Sequence, residues 1–255
     1  MKVSAAKDKS VLKKRLQRFF DPSSKRRAGL CAFLDEISDK AHIYIYGGVI
    51  RDIALHGVES FNSDIDIVFT GNDSCLDAIW RKYSAQRNSF GGHRLSVGGW
   101  QVDIWKAEHT WAFQEGYRTY QSIESLLSTT ITNWDAILYD WQAKRIISSD
   151  GYFKDLSNHY LDVVLTKNPN MLGMYVRIIR YCAGKAARHV SPQVADLLKR
   201  AFEEFSFEEL VDYEQDSFKD SYLRERSYEQ LTDADLYRED FFPKHLGINL
   251  TRPLF

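Results

Sequence analysis

The run IYIYGGVIRDIALHGVESFNSDIDIVF, residues 43–69, decides the fold. Its first four residues are β-branched or aromatic and predict a strand. Gly47-Gly48 then opens an amphipathic segment, Val49 to His56, that Gly57 ends. From residue 63 onward polar and apolar residues alternate, which is typical of a half-buried strand. The order of strand, paired glycine, helix and strand predicts an α/β unit.

The second predicted strand presents two carboxylates. Asp64 and Asp66 are two residues apart, so both lie on one face of the strand, while Ile65 and Ile67 lie on the other. Carboxylates in such a pair can bind Mg²⁺ together with phosphate oxygens of a substrate. A paired glycine at a helix N-terminus lets backbone N–H groups approach a phosphate closely. Together the two features predict a phosphoryl- or nucleotidyl-transfer site.

A third candidate acid lies further along the chain. Gly98-Gly99 predicts a hairpin turn, and Gln101–Trp105 is the return strand. In that strand Asp103 lies on the face opposite to Val102 and Ile104. A buried carboxylate without a partner is costly, so we expect Asp103 either to bind a metal ion or to pair with a cationic side chain.

These motifs resemble a known superfamily. GGVIRD followed by DID is similar to the head domain of the polymerase-β-type nucleotidyltransferases, above all the class II CCA-adding enzymes and bacterial poly(A) polymerases, whose pattern is GGxVRD and then DxD. The resemblance covers roughly residues 40–190. It implies a catalytic site that holds Mg²⁺ or Mn²⁺ on Asp64, Asp66 and Asp103. It also implies that the NTP or dNTP substrate is bound by Gly47, Gly48 and Arg51.

The sequence departs from the family at the element that contacts triphosphate and sugar. The family's RRD falls near Thr129, Thr130 and Ile131, and no arginine stands there. Only the following run, DAILYD, is similar to the family's NALAYD. Ordinary selection of ribonucleotides is therefore not expected.

A second departure lies in MLGMYVRIIRYCAGK, residues 171–185, which resembles the family's neck helix. Arg177 and Arg180 match its arginines, and the resemblance implies that they contact the nucleotide. Gly173 and Met174 replace the Glu-Asp pair whose Asp reads the incoming base. A thioether is at best a weak hydrogen-bond acceptor, so we do not expect CCA-adding specificity.

We therefore predict an α/β (α+β) fold, in which a nucleotidyltransferase head with a small mixed sheet flanked by helices precedes an α-helical neck-like region. The predicted segments are basic N-terminal helices over residues 1–38, the head over residues 39–160, and the neck-like region with a C-terminal tail over residues 161–255.

The N-terminal charge suggests a polyanionic partner. The net charge of the 255-residue chain is only −1, but residues 1–27 carry ten Lys and Arg against two Asp. A basic helix over residues 1–20 could bind nucleic acid by phosphate contacts through Lys13, Lys14, Arg15 and Arg18. The alternative is a solvated helix whose apolar stripe packs on the core.

Other features concern the compartment. Cys31, Cys75 and Cys182 are odd in number and lack CxxC spacing, which favours a reducing compartment. No run of 18 apolar residues is present, so we expect no membrane contact and a cytoplasmic location.

Three functions fit these patterns. The favoured one is template-independent, metal-dependent addition of NMP or dNMP to a 3′-hydroxyl of single-stranded nucleic acid, or oligonucleotide synthesis de novo, in RNA tailing or bacterial antiviral defence. The alternative is nucleotidyl transfer onto a hydroxyl of a protein partner or small molecule, as in toxin-type and resistance enzymes. The third is an inactive nucleotide-binding module, against which the three retained acids argue.

Overall fold

The computed structural model describes residues 4–61, 63–184, 187–219 and 221–223, and the backbone of residues 249–250. The chain divides into two compact units. The first comprises Met1–Thr130 and Trp134–Lys154, and the second Ile131–Asn133 and Asp155–Phe255. The predicted N-terminal segment thus lies inside the first unit. Most of the predicted C-terminal tail lies outside the described residues.

The first unit is built on a mixed seven-stranded sheet with the strand order β3-β4-β5-β2-β1-β6-β7. Strands β2 and β5 are parallel, and the other neighbouring pairs are antiparallel. The predicted mixed sheet flanked by helices is therefore confirmed. Its helices and strands are α1 (Lys9–Phe19), α2 (Lys25–Ser38), β1 (His42–Tyr46), α3 (Gly48–His56), β2 (Ile65–Thr70), α4 (Asp77–Lys82), β3 (Gln86–Arg87), β4 (His93–Val97), β5 (Trp100–Lys106), α5 (Trp111–Gln114), β6 (Ile137–Asp140), β7 (Arg145–Ser148) and the start of α6 (Tyr152–Ser157).

The N-terminal helix packs its apolar stripe on the core. Leu12, Leu16 and Phe19 of α1 are buried, and the ring of Phe19 meets Trp100 of β5 edge-on with 5.7 Å between centroids. Arg15 is also used inside the fold, because its Nη1 donates to the carbonyl oxygen of Ala54 at 2.7 Å near the end of α3. A cation at this position satisfies a carbonyl that the helix end leaves without an intrahelical partner.

The opposite face of the sheet is covered by the segment between β5 and β6. Tyr44, Val68 and Leu138 from three strands form one apolar cluster with Leu126 of that segment. Tyr46 pairs in register with Asp66 on β2. Because residues opposite each other in neighbouring strands share a face, Asp66 lies on the same side of the sheet as this cluster.

The predicted helix over residues 72–87 is shorter than expected. Asp73–Leu76 is a 3₁₀ turn, α4 ends at Lys82, and Ser84 has a φ of +50°. This left-handed residue turns the chain so that Gln86–Arg87 can pair with β4. Tyr83 follows the end of α4 but still packs on Phe33, with 4.8 Å between ring centroids. For this reason the apolar sequence pattern extends beyond the helix itself.

The second unit is mainly helical, as predicted for the neck-like region. It contains β8 (Tyr160–Leu161), α7 (Met171–Ala183), β9 (His189–Val190), α8 (Pro192–Glu204), α9 (Phe207–Ser217) and β10 (Asn249–Leu250). The side chain of Ser191 accepts from Val194 N–H at the start of α8, with Pro192 in the first turn. The three two-residue strands form a small parallel sheet that the sequence did not predict.

Two smaller findings concern hydrophobic helices and thiols. Within the described residues, no helix is both long enough and apolar enough to cross a bilayer. Cys31, Cys75 and Cys182 are free thiols, of which only Cys75 is exposed.

Candidate active site

Gly47 makes the turn between β1 and α3 that the sequence predicted. Its φ of +57° and ψ of −106° form a conformation that residues with a Cβ rarely adopt. An added Cβ would lie 3.5 Å from the carbonyl oxygen of Asp135. The N–H of Gly47 already donates to the carbonyl of Ile137 at 3.0 Å, so any phosphate contact falls to the N–H groups that follow, from Gly48 onward, which open α3 without intrahelical acceptors.

The three candidate acids lie on one face of two adjacent strands. Asp66 of β2 pairs in register with Asp103 of the parallel strand β5. Asp64 lies directly before β2, and its Oδ2 is 3.7 Å from Nη2 of Arg94, the side chain that pairs with Asp103. The side chain of Asp64 is 43% exposed and that of Asp103 is 16% exposed. Asp103 thus lies on this face from strand β5, as its position in the sequence predicted.

An arginine that the sequence analysis missed holds two of these acids. The Gly98-Gly99 turn sets the β4–β5 register so that Arg94 lies opposite Asp103. Arg94 Nε donates to Asp103 Oδ1 at 2.8 Å and Nη2 to Oδ2 at 2.5 Å, and Nη2 lies 3.7 Å from Asp64 Oδ2. The hydrogen bonds to Asp103, followed by the charges of Asp103, Asp64 and Asp66, raise the pKa of Arg94. Of the two expected partners for Asp103, the structure shows the cationic side chain.

The donor chemistry of this face suits a hard divalent cation. Its three carboxylates supply oxygen ligands of the kind that Mg²⁺ prefers. In this structure the positive charge beside them is the guanidinium of Arg94. In the described part of the chain, however, no three acidic, histidine or cysteine side chains converge on one metal position. Asp103 would bind an ion there by exchanging its contact with Arg94 for one with the metal.

Arg51 lies in the first turns of α3, four residues after Gly47. Its side chain is buried, Nε donates to Asp52 at 2.8 Å, and Nη1 is ion-paired with Asp135. Arg51 thereby links α3 to Asp135, the residue whose carbonyl oxygen lies next to Gly47. The nucleotide contact that the resemblance implies for Arg51 stays a prediction.

Tyr46 anchors the loop that passes beside the acids. Its hydroxyl lies 2.9 Å from the carbonyl oxygen of Leu126 and 3.0 Å from Thr129 Oγ1. Thr129 Oγ1 also donates to the Leu126 carbonyl at 2.8 Å. Burial of the Tyr46 side chain raises its pKa, so Tyr46 keeps its proton. The hydroxyl of Thr129, at the position of the family's RRD element, is therefore already engaged within the protein.

Comparison with known proteins identifies the fold. No protein-family model and no curated protein matches the chain. Among solved structures, the Thermotoga maritima CCA-adding enzyme complexed with tRNA_CCA is similar with a TM-score of 0.53 and 24% identity, over 79% of this chain and 48% of that one. A CCA-adding enzyme in complex with ATP gives 0.52 and 21%, over 81% and 51%. A tRNA-processing enzyme complex gives 0.51 and 21%, over 75% and 52%.

This chain has the fold of the tRNA nucleotidyltransferases. It spans about half the length of the similar chains. The fold predicted from GGVIRD and DID is thereby confirmed.

Within this nucleotidyltransferase fold, Arg180 is used for packing. Its Nη1 donates to the fully buried Glu214 at 2.5 Å, and its guanidinium lies 4.1 Å from the Phe218 ring centroid and 4.7 Å from that of Tyr222. This ion pair joins α7 to α9, and the nucleotide contact that the resemblance implies for Arg180 stays a prediction. Arg177, by contrast, is exposed.

The departure at residues 173–174 also has a structural reason. Met174 is buried, with 1% of its surface exposed. A Cβ at Gly173 would lie 2.4 Å from the hydroxyl oxygen of Tyr213 on α9 and 2.6 Å from Asn170 Nδ2. The start of α7 thus packs closely against α9. A side chain at residue 173 would require the ends of the Asn170 and Tyr213 side chains to shift, and an Asp at residue 174 would place a carboxylate at a buried position.

Proposed function

We propose that this chain is a template-independent nucleotidyltransferase that adds NMP or dNMP to the 3′-hydroxyl of a single-stranded nucleic acid. The supporting observation is the proximity of three acids, Asp66 on β2, Asp103 on β5 and Asp64 directly before β2, within a nucleotidyltransferase fold. The glycine turn at the start of α3 adds a site for phosphate oxygens.

In the proposed reaction the acceptor hydroxyl attacks the α-phosphorus of the nucleotide. A P–O bond forms between the acceptor oxygen and the α-phosphorus, and the bond from the α-phosphorus to the α,β-bridging oxygen breaks. The hydroxyl proton passes to solvent water, and pyrophosphate leaves. Mg²⁺ or Mn²⁺ held by the three carboxylates would lower the pKa of the hydroxyl and balance the charge of the triphosphate. Asp103 holds the acceptor side of the site, and the first-turn N–H groups of α3 hold triphosphate oxygens.

The structure also supports selection by shape rather than by base-reading hydrogen bonds. The position of the family's base-reading Asp is Met174, which is buried. We therefore infer homopolymeric or purine-biased products, because purines offer the larger surface for stacking. The free thiols favour action in a reducing compartment, which we take to be the cytoplasm.

A product survey tests the proposal. The purified protein is incubated with Mg²⁺ or Mn²⁺ and each α-labelled NTP or dNTP, with and without an RNA or DNA primer, and the products are separated on denaturing gels. A ladder on the primer, or free oligonucleotides, supports the proposal. Label on a protein band or a small molecule would favour transfer to those acceptors. A folded protein that releases no pyrophosphate under any condition would overturn the proposal and leave an inactive nucleotide-binding module.

A further inference from the structure

An open groove of about 690 Å³ lies along the edge strand β7, away from the acids. Its walls are the N-terminal end of α1 and the turn that leads into β7. Four cationic side chains line it, Lys9 and Lys13 from α1 and Lys144 and Arg145 from the turn, and all four residues are exposed. The sequence predicted basic character for α1 but gave no sign that the β6–β7 turn would add to it.

The groove is electropositive. Glu124 is the one carboxylate among its lining residues, and its side chain accepts a hydrogen bond from Ser122 Oγ at 2.8 Å. The hydroxyls of Ser10 and Ser148 also line the groove and are potential hydrogen-bond donors to anionic oxygens. Four cations and two hydroxyls around one space form a surface suited to several phosphates of one chain.

Two features order these cations before any ligand binds. Lys9 and Lys13 are four residues apart on a helix, so they project from the same face one turn apart. Lys144 has a φ of +50°, and its ammonium group lies 3.3 Å from the centroid of the Trp141 ring. A cation held on an aromatic face loses less conformational freedom when it meets an anion.

The lining favours a phosphate backbone over an acidic peptide. The apolar residues Ile146 and Ile147 are only 5% and 7% exposed, so neither offers much surface to the apolar side chains that anchor peptides.

We propose that this groove binds the sugar–phosphate backbone of the nucleic acid whose 3′-end is extended at the acids. The inference rests on the proposed function. Strand β7 is separated from β2 by β1 and β6, which places this edge strand roughly 14 Å from the acid-bearing strand at ~4.8 Å per strand. Because α1 packs on the face opposite to the acids, the bound chain would pass around the β7 edge to reach them. The groove therefore holds the acceptor upstream of its reactive end and takes no part in binding the reacting triphosphate.

Two double variants of equal charge change are compared. Lys9→Gln with Lys13→Gln removes two charges from the groove, whereas the control pair, Lys25→Gln with Lys40→Gln, removes two at exposed positions outside the groove. Binding of a labelled single-stranded oligonucleotide is followed by fluorescence anisotropy over a series of salt concentrations. Arg145→Gln is a further variant that leaves α1 intact, and circular dichroism checks the fold of each.

The groove pair should weaken binding about tenfold and reduce the slope of log K against log salt by about 1.4, because each phosphate contact on a single strand contributes about 0.7. Arg145→Gln should act in the same direction, and the control pair should leave both quantities near their wild-type values. Equal effects of the two pairs, or no effect of the groove pair and Arg145→Gln, would overturn the proposal. Competition by poly-glutamate as strong as that by unlabelled RNA would also overturn it, in favour of an acidic protein partner.

The two proposals fail in different ways. Anisotropy needs no turnover, so the groove is tested even if no transfer occurs. If transfer does occur, the groove pair should raise KM for a long primer and leave transfer to a dinucleotide acceptor unchanged, since a dinucleotide at the acids cannot reach the groove. Equal losses with both acceptors would contradict a role restricted to the upstream backbone.

Discussion

Arg94 and Asp103 form a two-point ion pair across the β4–β5 hairpin, at the place where the proposed activity needs a carboxylate for a metal ion. The two donor–acceptor distances are 2.8 and 2.5 Å, and the same guanidinium lies 3.7 Å from Asp64. Bidentate pairs of this kind are among the stronger charge-assisted hydrogen bonds. A divalent cation must therefore compete with Arg94 for the acid face.

Arg94→Gln should raise the affinity of the protein for Mn²⁺ about tenfold, a modest change because the arginine side chain is largely exposed and its pairing is screened by solvent. Free Mn²⁺ is measured by electron paramagnetic resonance without nucleotide. Arg87→Gln is the control, because it removes the same charge from the neighbouring strand β3. Arg87 directly follows Gln86, the residue that pairs with Arg94. An affinity for Mn²⁺ that is the same in wild type and Arg94→Gln would show that Arg94 does not compete with the ion.

Discrimination between ribose and deoxyribose should be weak. Thr129 stands where the family has its RRD element, and its hydroxyl is engaged with Tyr46 and Leu126. A site that does not hydrogen-bond a substrate hydroxyl cannot strongly reject the analogue that lacks it. We expect kcat/KM for ATP and dATP to differ by less than about a hundredfold, the scale of a weak contact.

The measurement compares ATP, dATP, CTP and dCTP under one metal condition. Strict addition of CTP and then ATP would show that the base-reading function survives by a route other than Met174, and that this interpretation of the departures is wrong.

The Arg180–Glu214 pair should be important for the stability of the second unit. Both side chains are buried, at 7% and 0% exposure, and Glu214 also accepts from the N–H groups of Tyr222 and Leu223 at 3.0 and 2.9 Å. Arg180→Met leaves a buried carboxylate without its cation, which should lower the free energy of unfolding by about 3–5 kcal/mol.

Urea denaturation of Arg180→Met and of the control Arg177→Met, which alters an exposed arginine on the same helix, checks this expectation. Equal midpoints for the two variants would argue that Arg180 contributes no more to folding than a surface residue does.

The sequence predicted the parts of the site that depend on local pattern. The period-two spacing of Asp64 and Asp66, and a glycine that must adopt a positive φ at residue 47, can both be read from neighbouring residues. The mixed sheet was predicted from the same run of strand, paired glycine, helix and strand. Lys144 and Arg145 lie in the same groove as the α1 lysines because α1 packs along β7. No local sequence pattern predicts that packing.

Ion pairs between residues that are far apart in the sequence were harder to predict. Arg51 and Arg180 match family arginines, but each is buried against a distant carboxylate, Asp135 and Glu214 respectively. Arg94 could have been found, because a two-residue Gly98-Gly99 turn fixes a register in which residue 94 faces residue 103.

The central claim is that the acid face is the site of nucleotidyl transfer, and Asp66→Asn tests it most directly. The substitution keeps the size of the side chain and removes one charge from the middle of the face. Asp77→Asn, at an exposed acid on α4, is the matched control. Pyrophosphate release and primer extension are measured with the nucleotide that the wild type prefers, alongside the thermal midpoint of each variant.

We expect Asp66→Asn to lose at least about a thousandfold in kcat/KM, since several kcal/mol of transition-state stabilisation depend on the cation held there. Its thermal midpoint should stay within a few degrees of the wild type, because the amide keeps the size and shape of the carboxylate. Asp77→Asn should keep wild-type activity. An Asp66→Asn protein that extends primers at the wild-type rate would contradict the account.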